Sequence, residues 1–192
     1  MHMESSFLTM ARLGIGLFTD GMAEATHYTP ALEQVVRAIA KRSFCMLATA
    51  SPSGRPHVAG VLYQAIGLTL YVNMSRDSWK ARSIADNPYV AVSIPIRRLP
   101  LGGPPSTVQF QGRAEILGFD HPDIVRLLEA GELKKVTSHG ELDYADGCIV
   151  RITPLRRLTT YGLGMSLLRL IRDPLHAGGS VELAAQGVGD PR

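Results

Sequence analysis

Strand-length apolar segments, each cut short by a cluster of turn formers, restrict this chain's fold more than any other feature of its sequence. Ser43 to Ala50 reads as a buried strand and stops at Ser51-Pro-Ser-Gly54, a run of turn residues. Pro56 to Gln64 is a second strand, Gly67 turns the chain, and Leu68 to Asn73 is a third. Connections this short predict an antiparallel meander, because parallel neighbours need a crossover of roughly a dozen residues. Tyr89 to Ile96 and Thr107 to Leu117 continue the pattern, and Gly147 to Tyr161 supplies the last strand. In the Thr107 segment, Val108, Phe110, Ala114 and Ile116 face one way, with a break at Gly112 that marks a bulge or a close backbone approach. About six strands with helices at their ends imply a mainly β fold, a small closed or split antiparallel barrel. Closure removes the open edges that a long apolar sheet would otherwise expose.

The helices are few and well signalled. Thr29 caps a helix whose first position is Pro30, and Leu32, Val35, Val36 and Ile39 form its apolar face. His121-Pro122 opens another, with Ile124, Val125, Leu127 and Leu128 as its docking residues. Met165 to Arg172 is amphipathic and ends at Asp173-Pro174. The chemically richest stretch is Tyr71 to Ile84, a strand running straight into a short helix that Asn87-Pro88 terminates. Asp77 is the expected N-cap there, and Ser78, Lys80 and Arg82 follow it. A helix N-terminus presents unpaired amides and the positive end of the helix dipole. On spacing alone, Ser-x-Lys-x-Arg suits either a solvated charged face or a phosphate cradle.

Composition narrows the partners. The 192 residues are 45% hydrophobic and 19% charged, too apolar for disorder and enough for one full core. A net charge of +3 without a dense basic run fits an anionic small molecule better than a nucleic-acid coat, and no nucleic-acid partner is expected. Cys45 and Cys148 sit in apolar segments and read as small hydrophobes in a reducing, cytoplasmic setting. The histidines form no ligand cluster, so no metal is expected, and no nucleophile elbow occurs. Ser6 to Phe18 is too short for a membrane span and carries Arg12, so no stable membrane insertion is expected. The expected organisation is an accessory arm over 1–28, with Met22 as an alternative start, a barrel over 29–161, and a C-terminal amphipathic helix and tail over 162–192.

The order of motifs resembles the pyridoxamine 5′-phosphate oxidase-like superfamily of flavin-binding split barrels. The resemblance rests on Leu47-Ala-Thr-Ala with Gly54-Arg-Pro-His57, Tyr71-Val-Asn73 followed by Ser78-Trp-Lys-Ala-Arg-Ser-Ile84, Asn87-Pro-Tyr-Val90, and Val108-Gln-Phe-Gln-Gly-Arg-Ala-Glu115. It implies a homodimer of six-stranded split barrels holding FMN or the deazaflavin F420 at the subunit interface. The phosphate would lie by Ser78, Lys80 and Arg82, with His57 as a substitute cation. Val58, Tyr71 and Asn73 would line the ring and ribityl chain, and Gln111 would reach the flavin from the same or the other subunit. The strand arginine of the true oxidases is replaced by Ala59, and their C-terminal tryptophan pattern is missing, since Trp79 is the only tryptophan. A genuine pyridoxamine phosphate oxidase is therefore not expected. The implied activity is hydride transfer to or from a small, hydrophobic or conjugated substrate. The competing implications are a non-catalytic flavin or F420 carrier or sensor, and a haem-binding barrel. The C-terminal helix and the N-terminal arm are candidates for a lid over the cofactor.

Overall fold

The computed structural model describes residues 29–97, 106–138 and 140–183. The expected N-terminal arm, most of the Pro/Gly loop after Ile96 and the final residues lie outside them. Helix α1 spans Pro30–Ala40, with the Thr29 hydroxyl accepting from the Leu32 amide at 3.3 Å as its cap. Strands β1 (Phe44–Ala50), β2 (Pro56–Leu62), β3 (Gln64–Ile66) and β4 (Thr69–Ser75) follow, then helix α2 (Trp79–Asp86). Strands β5 (Tyr89–Arg97) and β6 (Ser106–Leu117) precede helices α3 (Pro122–Glu129) and α4 (Lys134–Thr137). Strand β7 (Gly147–Tyr161), helix α5 (Leu167–Arg172) and strand β8 (Gly178–Glu182) complete the order.

The sheet is antiparallel throughout, in the order β2-β1-β5-β6-β7-β4-β3, with β8 on β7. Among the described residues it has eight strands rather than six. The segment Pro56 to Gln64 splits in two at Tyr63, and β8 forms in the stretch expected to be a tail. The expected meander holds for the β1–β2 hairpin and, across Gly67, for the short β3–β4 hairpin, but β2 itself does not pair with β4. Strand β4 (Leu70 to Ser75) pairs with β7 (Ile152 to Gly147), far along the chain, a choice that turn lengths alone do not encode. Strand β7 is long enough for two partners on one edge: β4 takes Gly147 to Ile152, and β8 takes Arg157 to Tyr161.

Strands β2 and β3 are the two ends of this order, yet a single residue, Tyr63, joins them. A sheet whose edges are one residue apart has to curl back on itself, which makes Tyr63 the seam of the barrel. Tyr63 is fully buried, its hydroxyl donates to the Ile39 carbonyl at 2.8 Å, and its amide donates to the Ser43 carbonyl at 2.8 Å. Burial pushes its phenol pKa upward, so it stays a neutral donor. The interior cluster comes from alternate residues of the curled sheet, such as Leu47, Leu70, Ile94, Val108 and Ile152. Helices α1 and α2 add Val35, Ile39, Ala81 and Ile84 to it.

The outer face is divided. Over β4, β6 and β7 it is roofed by α3 and α4, forming a second cluster of Tyr71, Leu117, Ile124, Leu133, Val136 and Ile149. Arg151 fastens this roof, bonding Glu115 at 2.6 Å and Asp123 of α3 at 3.0 Å. Over β1 and β2 the outer face carries no charged side chain and leaves Met46, Val58 and Leu62 exposed.

Candidate cofactor site

The end of β4 is fixed before α2 begins. The Ser75 hydroxyl donates to the Asp146 carboxylate and accepts from the Asp77 amide at 3.1 Å, while the Arg76 amide donates to the Asp146 carbonyl at 2.7 Å. This turn uses up one more residue than the sequence suggests, so Ser78, not Asp77, is the N-cap. The Ser78 hydroxyl accepts from the Ala81 amide at 3.2 Å, and its carbonyl accepts from the Arg82 amide at 3.1 Å. The Trp79 and Lys80 amides remain the first-turn donors without an intrahelical acceptor. Lys80, half-buried in that turn, adds a cation beside them.

His57 arrives from β2. Its ring lies on the Trp79 indole, with centroids 4.1 Å apart and planes inclined by 48°. Strand alternation places His57 on the same side of β2 as Ala59 and on the opposite side from Val58. His57 and Ala59 thus share the inner face of β2 with the buried row of β1. Opposite His57 on β1 stands Thr49, 4% exposed, with a hydroxyl that has no hydrogen-bond partner. The buried amide nitrogen of Asn73 on β4 is also without a partner. Unsatisfied buried donors are uncommon in native structures and mark places where a ligand or water completes the bonding.

The residues expected at the site therefore fall into three groups. Ser78, Lys80 and His57 converge at the α2 start, with Arg82 exposed one turn on and Trp79 as an aromatic wall that spacing alone did not single out. Val58 and Gln111 stand apart from them but share one row across the uncovered outer face. The ladder reads Val58, Ala48, Ala91, Gln111 across four strands, a span of roughly 14 Å. Tyr71, expected at the cofactor wall, is packed beneath α3 and α4 at 8% exposure, and burial raises its phenol pKa. It belongs to the roofed cluster, and Asn73, two residues on along β4 and paired with Ile149, is on the same face as Tyr71. Gln111 is exposed opposite an irregularity, where three β7 residues (155–157) face it. The adjacent Gly112 is a close approach as expected, since a Cβ there would lie 3.0 Å from the Thr153 carbonyl oxygen. Among the described residues no group of side chains could hold a metal ion.

Comparison with known proteins bears on the fold and the family. The family pattern described as pyridoxamine 5′-phosphate oxidase matches residues 31–145. No curated protein matches the chain in sequence. Among solved structures, the haem storage protein HutZ from Vibrio cholerae is similar at 20% identity and a TM-score of 0.59, covering 69% of this chain and 95% of its own. A haem-binding protein from Mycobacterium smegmatis is similar at 18% identity and a TM-score of 0.61, over 81% of this chain and 59% of its own. An FAD-binding protein from Mesorhizobium loti is similar at 25% identity and a TM-score of 0.53, over 69% of this chain and 92% of its own. The two haem proteins share the fold, a curled antiparallel half-barrel with a few helices.

Proposed function

Since this chain belongs to the pyridoxamine 5′-phosphate oxidase family, we propose that it is an oxidoreductase that uses FMN or F420 and acts on a small hydrophobic or conjugated molecule. One observation carries the reading: the first-turn amides of Trp79 and Lys80 and the His57–Trp79 pair meet at the start of α2, where Lys80 adds a cationic side chain. Donors of that kind fit a phosphate, which both cofactors carry on a flexible chain. The unpartnered Thr49 hydroxyl, across the ladder from His57, agrees with a ligand whose polar atoms complete the site.

Ser78 sets the helix start, Lys80 supplies the counter-charge, and Trp79 with His57 forms an aromatic wall on one side. The bound cofactor supplies the two-electron chemistry, so the protein's task is to bind, orient and tune polarity. Val58 and Gln111 lie on the other face of the sheet, so they serve the same cofactor best from a second copy. The charge-free, exposed face of β1 and β2 supports a homodimer of that kind. The FAD-binding protein of the same fold, at 25% identity, supports a flavin-type ligand.

Protein purified from a host that makes both cofactors is expected to carry flavin or deazaflavin absorption and fluorescence. Removing one charge-assisted phosphate contact costs about 1.5–3 kcal/mol, so Lys80→Ala is expected to weaken FMN or F420 binding by about 10- to 100-fold. Arg37→Ala on α1 serves as the control. Haem as the only co-purifying ligand would overturn the reading. Equal affinities of the two variants would show that the phosphate is misplaced.

A further inference from the structure

Residues 162–177 form one excursion between β7 and β8, and its outer surface has chemistry that neither the barrel nor a cofactor uses. The excursion is built, not loose. Its root is closed by the Gly162 amide donating to the Ala177 carbonyl at 2.9 Å, immediately beyond the Tyr161–Gly178 pair of the β7–β8 ladder. Ser166 caps α5 by accepting from the Arg169 amide at 3.3 Å, and Leu170 anchors the helix, fully buried.

At about 100° per residue, Leu168, Ile171 and Arg172 fall on the side of α5 away from Leu170. Leu168 is 59% exposed, Ile171 57%, and Leu175, just beyond the helix, 91%. These are branched aliphatic side chains of the kind that burial favours most, left exposed on and just beyond a capped helix at the corner between β7 and β8. Arg169 and Arg172 are exposed among them, and the single acid of the excursion, Asp173, is engaged by His176 at 2.6 Å.

We propose that this corner docks on an anionic lipid surface. The corner combines three exposed aliphatic side chains with two exposed arginines. It suits insertion at the boundary between headgroups and acyl chains, where lipid tails cover leucine and isoleucine without shape matching. Arg169 and Arg172 are placed to reach phosphates at the same depth, their stems lying along the apolar side chains. The contact is peripheral: no helix among the described residues is long and apolar enough to cross a membrane. With so short a helix, the attachment is reversible, salt-sensitive and dependent on anionic headgroups.

The test sediments the full chain with vesicles of phosphatidylcholine alone, and of phosphatidylcholine with phosphatidylglycerol. The bound fraction is expected to rise at least about fivefold when phosphatidylglycerol is present and to fall as salt is added. The triple variant Leu168→Ser, Ile171→Ser, Leu175→Ser alters only exposed side chains. It should melt like the unaltered protein and bind at least about tenfold less. Arg169→Gln with Arg172→Gln should abolish the preference for phosphatidylglycerol. No sedimentation with either vesicle, or unchanged binding by the triple variant, overturns the proposal. So does a triple variant whose particle mass in solution falls while its vesicle binding stays, because the corner would then join copies of the chain.

Discussion

Changing Tyr63 to phenylalanine and to alanine, side by side, separates the two ways this residue holds the barrel seam. In Tyr63→Phe only the hydroxyl goes, with its 2.8 Å bond to the Ile39 carbonyl. That carbonyl keeps the Arg42 amide at 3.0 Å, so it is not left orphaned. The cost is then the net worth of one neutral hydrogen bond, about 1 kcal/mol. Tyr63→Ala also removes a fully buried ring at the point where β2 becomes β3. Truncating a core aromatic costs about 3–5 kcal/mol, and with the hydrogen bond the total is about 4–6 kcal/mol. That approaches the whole stability of a small domain, about 5–15 kcal/mol. Urea unfolding followed by far-UV circular dichroism and by emission of the single tryptophan, Trp79, measures both. For Tyr63→Phe the midpoint should move with an unchanged slope, and the melting temperature should fall by about 2–4 °C. Tyr63→Ala should be largely unfolded or lose most of its cooperativity. A loss above about 3 kcal/mol for the phenylalanine variant would refute the reasoning, because one satisfied hydrogen bond cannot supply it. An alanine variant within about 1 kcal/mol of the parent would show that the seam is closed elsewhere.

Two further predictions concern titratable groups. Burial pushes the Cys45 thiol up to about 12 and raises that of Cys148, so neither is expected to react with a thiol reagent at neutral pH until the protein is denatured. Native labelling at the rate of a free thiol would contradict this. The hydrogen bond from Arg151 holds the Asp123 carboxyl below its ordinary value of 3.8. A depressed carboxyl stabilises the fold above that ordinary value, and the contribution is lost as pH falls through the lower, folded one. Asp123→Asn is therefore expected to be less stable than the parent at neutral pH, with the two unfolding curves converging in acid. A difference that stays constant down to the lowest pH would mean that the ion pair is not its source.

How much of this was legible in the sequence depended on how local the governing interaction is. Period-two alternation in β6 and the Thr29-Pro30 cap are local, and both appear as read. The α2 cap was misassigned by one residue because Ser75 engages Asp146, which is far away in sequence. The partner of β4 was equally hidden, since the competition between β2 and β7 for its edge is settled by the curl of the sheet. Trp79 gave no periodic signal. Its contact with His57 exists only because the β2 start and the α2 start meet at one rim of the barrel.

Strand parity then decides what the candidate site can be. His57 and Val58 are adjacent in sequence and must point to opposite faces of β2. A ligand seated at the α2 start next to His57 has the sheet itself between it and the row from Val58 to Gln111. Within one subunit, therefore, the residues suggested by family resemblance cannot all line one wall, and Tyr71 is already committed to the roof under α3 and α4. Two arrangements satisfy the parity. In one, the cofactor uses only the His57 side and leaves the outer row to other duties; in the other, a second copy brings its outer row to the first copy's helix start. The absence of charge on β1 and β2, next to three exposed apolar side chains, favours the second. A face that stayed in water would gain solubility from lysine or glutamate at such positions and lose nothing in packing.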